Sequence, residues 1–270
     1  MTDDEALGRL DLDLARQFAD LGAEVRRRVR DLDGLAALRT REDGDVTHDF
    51  DRMAENRIFE VLDRSGLGMR ISSEESAEFS VGSGDRYLAI IDPIDGSDMV
   101  AHGYPLASIA FSLVDAERGI PVYSRIHEIF TESDFVARGS IASRNGATAQ
   151  PSAVSTLDDA FVVSYSPTPA RRTSGAHRRL LESRAALILN YGGPLDVAKV
   201  GSGQCDAVVE LAKGFPPRDL LPGLHFATLA GAVACDEKGN DLAWSFARDD
   251  RQRFVVAANR HLLVGVLESL

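Results

Sequence analysis

Hydrophobic residues recur every three or four positions over residues 4–38, which is the spacing of an amphipathic helix. The same spacing resumes after a polar segment at residues 40–51 and stops near Gly66. Shorter apolar runs follow, each with the length and composition of a β-strand. The first half of the chain therefore predicts two helices followed by a run of strands, which we place at 69–71, 87–91, 106–114, 121–126 and 135–138.

The second half of the chain alternates between strand and helix patterns, which is typical of an α/β fold. Small residues dominate residues 139–158, and this is the best place for a boundary. We therefore expect an N-terminal α+β subdomain at residues 1–145 and a C-terminal α/β subdomain at 146–270. In the latter we place strands at 161–165, 186–189, 207–211 and 254–258, and helices at 177–184, 192–200, 220–237 and 261–270.

The stretch LAIIDPIDGSD, at residues 88–98, carries the clearest chemistry. Its apolar start predicts a buried strand that breaks at Asp92. Pro93 fixes its own φ and favours an extended Asp92, so the carboxylates of Asp92 and Asp95 can converge. The carbonyl of Ile94 is exposed in the bend between them. This set of oxygen ligands suits Mg²⁺ or Mn²⁺ rather than Zn²⁺.

The next residues of the same stretch look like a turn that opens a helix. Gly96 and Ser97 offer backbone amides at a helix N-terminus, where an anion such as phosphate is favoured. A metal site and a phosphate site would then lie side by side. The alternative is an ordinary turn in which an aspartate serves as a cap.

Composition narrows the classes of function. The 270 residues carry a net charge of −12, from 30 basic and 42 acidic residues, so a binder of nucleic-acid backbones is not expected. The two cysteines, Cys205 and Cys235, have no zinc-site spacing and indicate a reducing compartment. No basic apolar leader and no apolar run of membrane length is present, so we expect a cytoplasmic protein without membrane contact.

Three acidic motifs, taken in order, resemble those of the inositol monophosphatase superfamily of Mg²⁺-dependent phosphatases. They are SSEES at 72–76, DPIDGS at 92–97 and the aspartate at 219, and the resemblance runs from about residue 45 to 240. It implies a layered αβαβα sandwich of two subdomains and a homodimer. It also implies a small phosphorylated substrate.

The resemblance implies two metal ions, Mg²⁺ or Mn²⁺, and a set of ligands for each of them. The first ion would be held by Glu74, Asp92 and the Ile94 carbonyl. The second would be held by Asp92, Asp95 and Asp219. Glu75 would lie behind these ligands or orient the attacking water.

The resemblance also implies how water is activated. Ser97 stands where the family usually has threonine, the hydroxyl that helps to activate the water. Its acidic partner is expected upstream of the glutamates. Asp51 fits best by its distance from Glu74, but this needs a one-residue insertion in VTHDFD, so Asp49 remains a rival.

Substrate contacts are expected from residues in both halves of the chain. Gly96 and Ser97 would bind the phosphate, and Glu210 would contact a substrate hydroxyl. Arg218 replaces the tryptophan that usually precedes the last aspartate, and its guanidinium suits an anionic or hydroxylated leaving group. Arg171 and Arg172 could do likewise, but the expectation for both is an exposed, solvated side chain.

The resemblance implies hydrolysis of an inositol, cyclitol or sugar phosphate by in-line attack of water. Fructose-1,6-bisphosphatase activity and nucleotide 3′-phosphatase activity, on 3′-phosphoadenosine 5′-phosphate, are the nearest alternatives. A non-catalytic ligand-binding relative is a further alternative. An aspartyl-phosphate phosphatase is rejected, because the residues around Asp49 and Asp51 lack the required Thr or Val.

Overall fold

The computed structural model describes residues 3–31, 37–40, 46–165, 185–189 and 193–270. The chain divides into two compact units, Met1–Asp134 and Phe135–Leu270. This division lies upstream of the boundary expected at residue 145. Among the described residues, no helix combines the length and apolar composition needed to cross a bilayer.

Three helices lie in the part of the first unit that the structure describes, and two of them are long and amphipathic. The stripe of α1 is fully buried and consists of Leu10, Leu14, Phe18, Leu21 and Val25. The helix α3 is only five residues long and follows the DPID segment directly. The helices are α1 Asp3–Asp31, α2 Asp49–Arg64 and α3 Ser97–Ala101.

The strands of the first unit form a hairpin and a mixed sheet. The hairpin pairs β1 with β2, and the sheet has the strand order β7-β6-β5-β3-β4. The pair β3–β5 is parallel, whereas the pairs β3–β4, β5–β6 and β6–β7 are antiparallel. The strands are β1 Ala37–Thr40, β2 Val46–His48, β3 Met69–Ser73, β4 Phe79–Val81, β5 Tyr87–Asp95, β6 Ser108–Asp115 and β7 Ile120–Glu128.

The second unit is built on a five-stranded sheet of order β12-β11-β13-β15-β14. The strand β11 pairs in parallel with β12 and β13, whereas β15 is antiparallel to both β13 and β14. Antiparallel pairs β8–β9 and β9–β10 precede this sheet in the chain. The strands are β8 Ser133–Arg138, β9 Ile141–Arg144, β10 Ala147–Thr148, β11 Phe161–Tyr165, β12 Ala185–Leu189, β13 Ala207–Phe215, β14 Val233–Cys235 and β15 Gln252–Ala257.

Among the described residues, three helices accompany this sheet, and one short 3₁₀ turn, Leu157–Asp159, precedes it. The apolar face of β13 and β15 packs into one core with these helices, and the core includes both cysteines, which are free. The strands expected in this half of the chain are confirmed. Two expected helices are also confirmed, namely the helix that begins at Pro194 and the last helix of the chain. The helices are α4 Pro194–Gly201, α5 Pro217–Ala230 and α6 Arg260–Ser269.

Two predicted helices are too long. Of the helix predicted over 4–38, the structure describes Asp3–Asp31 as helical, whereas Ala37–Thr40 pairs with the strand Val46–His48. The helix predicted over 220–237 ends at Ala230, because Gly231 adopts a left-handed φ of 108° and caps it. The strand Val233–Cys235 follows.

Three further expectations concern the end of β5, the segment 139–158 and residues that the structure does not describe. The strand expected to break at Asp92 continues to Asp95. The segment 139–158, expected to be the best place for a boundary, contains β9 and β10. The helix expected at 177–184 and the two arginines 171 and 172 lie outside the described residues.

Candidate active site

Two acids of different motifs meet at the carboxyl ends of neighbouring parallel strands. In the pairing of β3 with β5, Ser73 lies opposite Ile91. Glu74 follows Ser73 directly, just as Asp92 follows Ile91. Because parallel strands present their carboxyl ends at the same edge of a sheet, Glu74 and Asp92 lie side by side there. Asp92 is only 2% exposed.

A β-bulge turns Asp92 and Asp95 toward one face. Asp92 pairs with Ala110 of β6 and Asp95 pairs with Ser108, so β5 carries one extra residue across this span. In a regular strand, residues three apart point to opposite faces. The extra residue restores the alignment, and the Ser108 hydroxyl donates a hydrogen bond to Asp95 Oδ2 at 3.2 Å. The sequence predicted that a bend at Pro93 brings the two carboxylates together, and in the structure the bulge in β5 does so.

Glycine is required at the step from β5 into α3. Gly96 has a φ of 83° and is the N-cap of α3. A Cβ built there would lie 2.7 Å from the carbonyl oxygen of Leu106, which is closer than real Cβ contacts come. The predicted helix start at Ser97 is confirmed. Because α3 is so short, its dipole is small, so an anion expected here would depend on individual N–H groups.

The structure distinguishes the two candidate partners of Ser97. Asp51 is 2% exposed, and its Oδ2 accepts the backbone N–H of His48 at 2.7 Å. The Asp49 side chain is 56% exposed and accepts a hydrogen bond from Arg28 of α1 at 3.1 Å. Asp51 is thus the acid that is held inside the fold.

His48 connects the segment of Asp51 to the segment of Ser97. Its Nε2 lies 3.1 Å from Oδ1 of Asp98, the residue after Ser97, and its ring stacks on Phe50 with centroids 5.1 Å apart. Since the His48 backbone also binds Asp51, the start of α2 and the start of α3 are fastened together. His48 is therefore a structural hydrogen-bonding residue at this junction.

One buried acid beside this site was missed by sequence reasoning. Glu55 of α2 is 3% exposed, and its Oε2 accepts a hydrogen bond from the Ser76 hydroxyl at 2.5 Å. Ser76 directly follows Glu74 and Glu75. A signal was present, since residues 51, 55, 58 and 62 lie on one stripe of α2 and all are buried.

In the second unit, Arg218 and Asp219 occupy the first turn of α5. The Arg218 side chain is 12% exposed, and its Nε lies 3.6 Å from Asp219 Oδ1. The helix α5 begins at Pro217, which places Pro222 in its second turn. Pro222 cannot donate the hydrogen bond that the Arg218 carbonyl would otherwise accept within the helix.

Glu210 is fully buried and organises its own loop. Its Oε1 accepts the backbone N–H groups of Ala212, Lys213 and Gly214 at 2.7, 2.8 and 3.0 Å. These bonds stabilise the irregular pairing of β13 with β15 between Glu210 and Phe215. The expected contact of Glu210 with a substrate hydroxyl stays a prediction, and Oε2 is the oxygen that it would use.

The donor types in the first unit fit a hard divalent cation. Glu74, Asp92, Asp95 and the Ile94 carbonyl offer only oxygen, and two of the carboxylates share a strand end. Among the described residues, no three histidine, cysteine or acidic side chains stand close enough to enclose an ion as they are. The fit therefore depends on the chemistry of the donors and on their placement at one sheet edge.

Comparison with known proteins gives a consistent result. A model of the inositol monophosphatase family matches residues 9–270. A Thermococcus kodakarensis protein named fructose-1,6-bisphosphatase/inositol-1-monophosphatase is 28% identical over 86% of this chain and 85% of its own length. A Xylella fastidiosa protein named Nus factor SuhB is 31% identical over 73% of this chain and 71% of its own.

The solved structures establish the fold. The extragenic suppressor protein SuhB of Bartonella henselae has a TM-score of 0.82 at 23% identity, covering 95% of this chain and 96% of that one. Similarity at this level of identity concerns the fold alone. The expected α/β fold class of the inositol monophosphatase type is confirmed.

Proposed function

Because the chain belongs to the inositol monophosphatase family, we propose that it is a Mg²⁺-dependent phosphatase acting on an inositol, cyclitol or sugar phosphate. Its class, a phosphoric monoester hydrolase, follows from the family. One observation supports the proposal most strongly: the register of β3 with β5, together with the bulge in β5, gathers Glu74, Asp92 and Asp95 at one sheet edge. Gly96 and Ser97 follow directly.

The acids divide between two ions in this proposal. Glu74, Asp92 and the Ile94 carbonyl hold the first ion, and Asp92 and Asp95 hold the second, with Asp219 as a further ligand. When bound, paired divalent cations neutralise charge on the phosphate and lower the pKa of a coordinated water. A buried Asp92 supports this assignment, since a carboxylate out of water is stabilised by a neighbouring cation.

The side chains around the phosphate have separate tasks. The backbone N–H groups of Gly96 and Ser97 bind phosphate oxygens, and the Ser97 hydroxyl orients the attacking water. The carboxylate of Asp51 receives the proton of that water through the Ser97 hydroxyl. The hydrogen bond from His48 and the contact of His48 with Asp98 support this pairing, since they hold Asp51 and Ser97 in fixed segments.

Glu75 has an orienting role in the proposal. It follows Glu74 in the same acidic segment and is half-buried. From there it accepts a hydrogen bond from the water that attacks phosphorus. A carboxylate that only orients is expected to matter less for turnover than Ser97 or Asp51.

Arg218 selects the leaving group. A guanidinium that is largely buried keeps its charge and is less screened than one in solvent, so it recognises an anionic or hydroxylated group strongly. This favours sugars that carry a second phosphate or several hydroxyls. Fructose 1,6-bisphosphate is therefore a second candidate substrate, which the name of the Thermococcus kodakarensis relative also supports.

A phosphate-release screen tests the proposal. Purified protein with Mg²⁺ is offered inositol phosphates, fructose 1,6-bisphosphate, other sugar phosphates and 3′-phosphoadenosine 5′-phosphate. We expect release from at least one sugar or cyclitol ester, loss with EDTA, and loss in Asp95→Asn. Release that persists in EDTA, or in Asp95→Asn, would contradict the account. Light scattering on the same sample tests the expected homodimer.

A further inference from the structure

Glu55 is a buried acid that α2 itself does not need. Its Oε2 accepts one hydrogen bond, from the Ser76 hydroxyl at 2.5 Å. Its Oε1 is buried and accepts no hydrogen bond from any described residue. Burying a carboxylate with only part of its hydrogen bonds satisfied costs stability, and an apolar side chain on this stripe would stabilise α2 more. The position therefore serves something other than helix packing.

The partner of Glu55 lies at the end of the acidic motif. The ladder between β3 and β5 holds the chain up to Ser73, and β4 begins only at Phe79. The acidic residues Glu74 and Glu75 lie between these strands, where no strand pairing fixes the backbone. The contact of Ser76 with Glu55 fastens the far end of this segment to α2.

We propose that Glu55 is a positioning residue, which acts through Ser76 to hold Glu74 and Glu75 where they bind and orient around the metal ions. This inference rests on the proposed function. Glu55 stands one helical turn after Asp51, so one helix would support both the acid that takes the proton and the acids that hold metal. Residues that orient metal ligands typically change metal affinity by about 10- to 100-fold when they are replaced.

Metal binding by the intact protein tests this inference without relying on turnover. Mn²⁺ is titrated into wild type, Glu55→Ala, Glu55→Gln and Ser76→Ala, and free Mn²⁺ is followed by electron paramagnetic resonance. We expect Glu55→Ala and Ser76→Ala to weaken Mn²⁺ binding by about tenfold or more. Glu55→Gln keeps a carbonyl oxygen for the Ser76 hydroxyl and should retain most of the affinity.

A double variant and steady-state kinetics define the mechanism further. If Glu55 acts through Ser76, Glu55→Ala combined with Ser76→Ala should bind Mn²⁺ no more weakly than either single variant. With saturating Mg²⁺, the substrate KM should stay near that of wild type. Two controls lie on α2: Glu60→Ala removes an exposed acid, and Ile58→Val removes a buried methyl group without touching Ser76.

Several results would overturn the inference. Unchanged Mn²⁺ affinity in Ser76→Ala would do so, even if Glu55→Ala failed to fold. An equal loss of affinity in Ile58→Val, at matched thermal stability, would reduce Glu55 to a packing role. A Glu55→Gln variant as weak as Glu55→Ala would mean that Glu55 itself contacts the ion. Wild type that neither binds Mn²⁺ nor releases phosphate would instead remove the proposed function, and this inference with it.

Discussion

Replacing Gly96 by alanine should strain the centre of the site in two separable ways. The φ of 83° is left-handed, and an L-residue there costs about 1–2 kcal/mol relative to glycine. In addition, the new Cβ would lie 2.7 Å from the Leu106 carbonyl oxygen, so one of the two backbone segments must move. Together these effects predict a loss of about 2–4 kcal/mol in the free energy of unfolding.

Gly103 provides the matched control at the other end of α3. Its φ is 77°, but a Cβ built there meets nothing within 4 Å. Gly103→Ala should therefore lose only the conformational part, about 1–2 kcal/mol. The difference between the two variants in urea unfolding isolates the contact with Leu106.

Activity should separate the two variants more sharply than stability. Leu106 lies two residues before Ser108, whose hydroxyl binds Asp95. A shift of this segment should therefore displace a proposed metal ligand, so Gly96→Ala should lose phosphatase activity while Gly103→Ala keeps it. Equal stability of the two variants, with full activity in Gly96→Ala, would refute the reasoning.

Three further predictions concern proton transfer and pH. Ser97→Ala should lower kcat by about 100-fold or more with little change in KM, and an unchanged kcat in steady-state assays would exclude Ser97 from the reaction. Asp51→Asn should lower kcat by a similar factor while Asp49→Asn retains it, and the reverse order would assign the role to Asp49. Burial lowers the pKa of His225 to about 4, so the unfolded chain binds this proton first as pH falls. The stability that is present above pH 6.5 should therefore decrease by about 3 kcal/mol as the pH falls to 4. Urea unfolding of His225→Phe should not show this loss. A pH profile of stability identical to that of wild type would contradict the prediction.

The elements that could be predicted from the sequence are those that residues adjacent in the chain determine. The apolar run before Asp92 indicated a buried strand, and Gly96 followed by Ser97 indicated a helix start; both are confirmed. The helix opened by Pro194 was predicted from the same kind of signal. In each case the residues that determine the element are neighbours in the chain.

The predictions fail where pairing with residues distant in the chain determines the secondary structure. Pro93 looked like the end of a strand, but pairing with Ala110 and Ser108 carries β5 through a bulge to Asp95. Likewise, the helix predicted over 4–38 included Ala37 and Leu38, which lie in a strand that pairs with β2. Sequence periodicity cannot show which partner strand is present, so these outcomes needed the fold.

The acidic residues of the site were predicted from the sequence, but a residue that holds them in place was missed. Motif order pointed to Glu74, Asp92 and Asp95, but an acid on an amphipathic helix, such as Glu55, looks like part of a solvated face. The stripe that Glu55 shares with Ile58 and Leu62 was a sequence signal for its burial, but its contact with Ser76 is visible only in the fold.

Anomalous diffraction from a crystal soaked in Mn²⁺ tests the central claim most directly. The account predicts two Mn²⁺ ions about 3.5–4 Å apart, bonded to Glu74, Asp92 and Asp95, with Asp219 as a ligand of one of them. Crystals that bind no Mn²⁺ at these carboxylates, or bind it only elsewhere on the protein, would contradict the account.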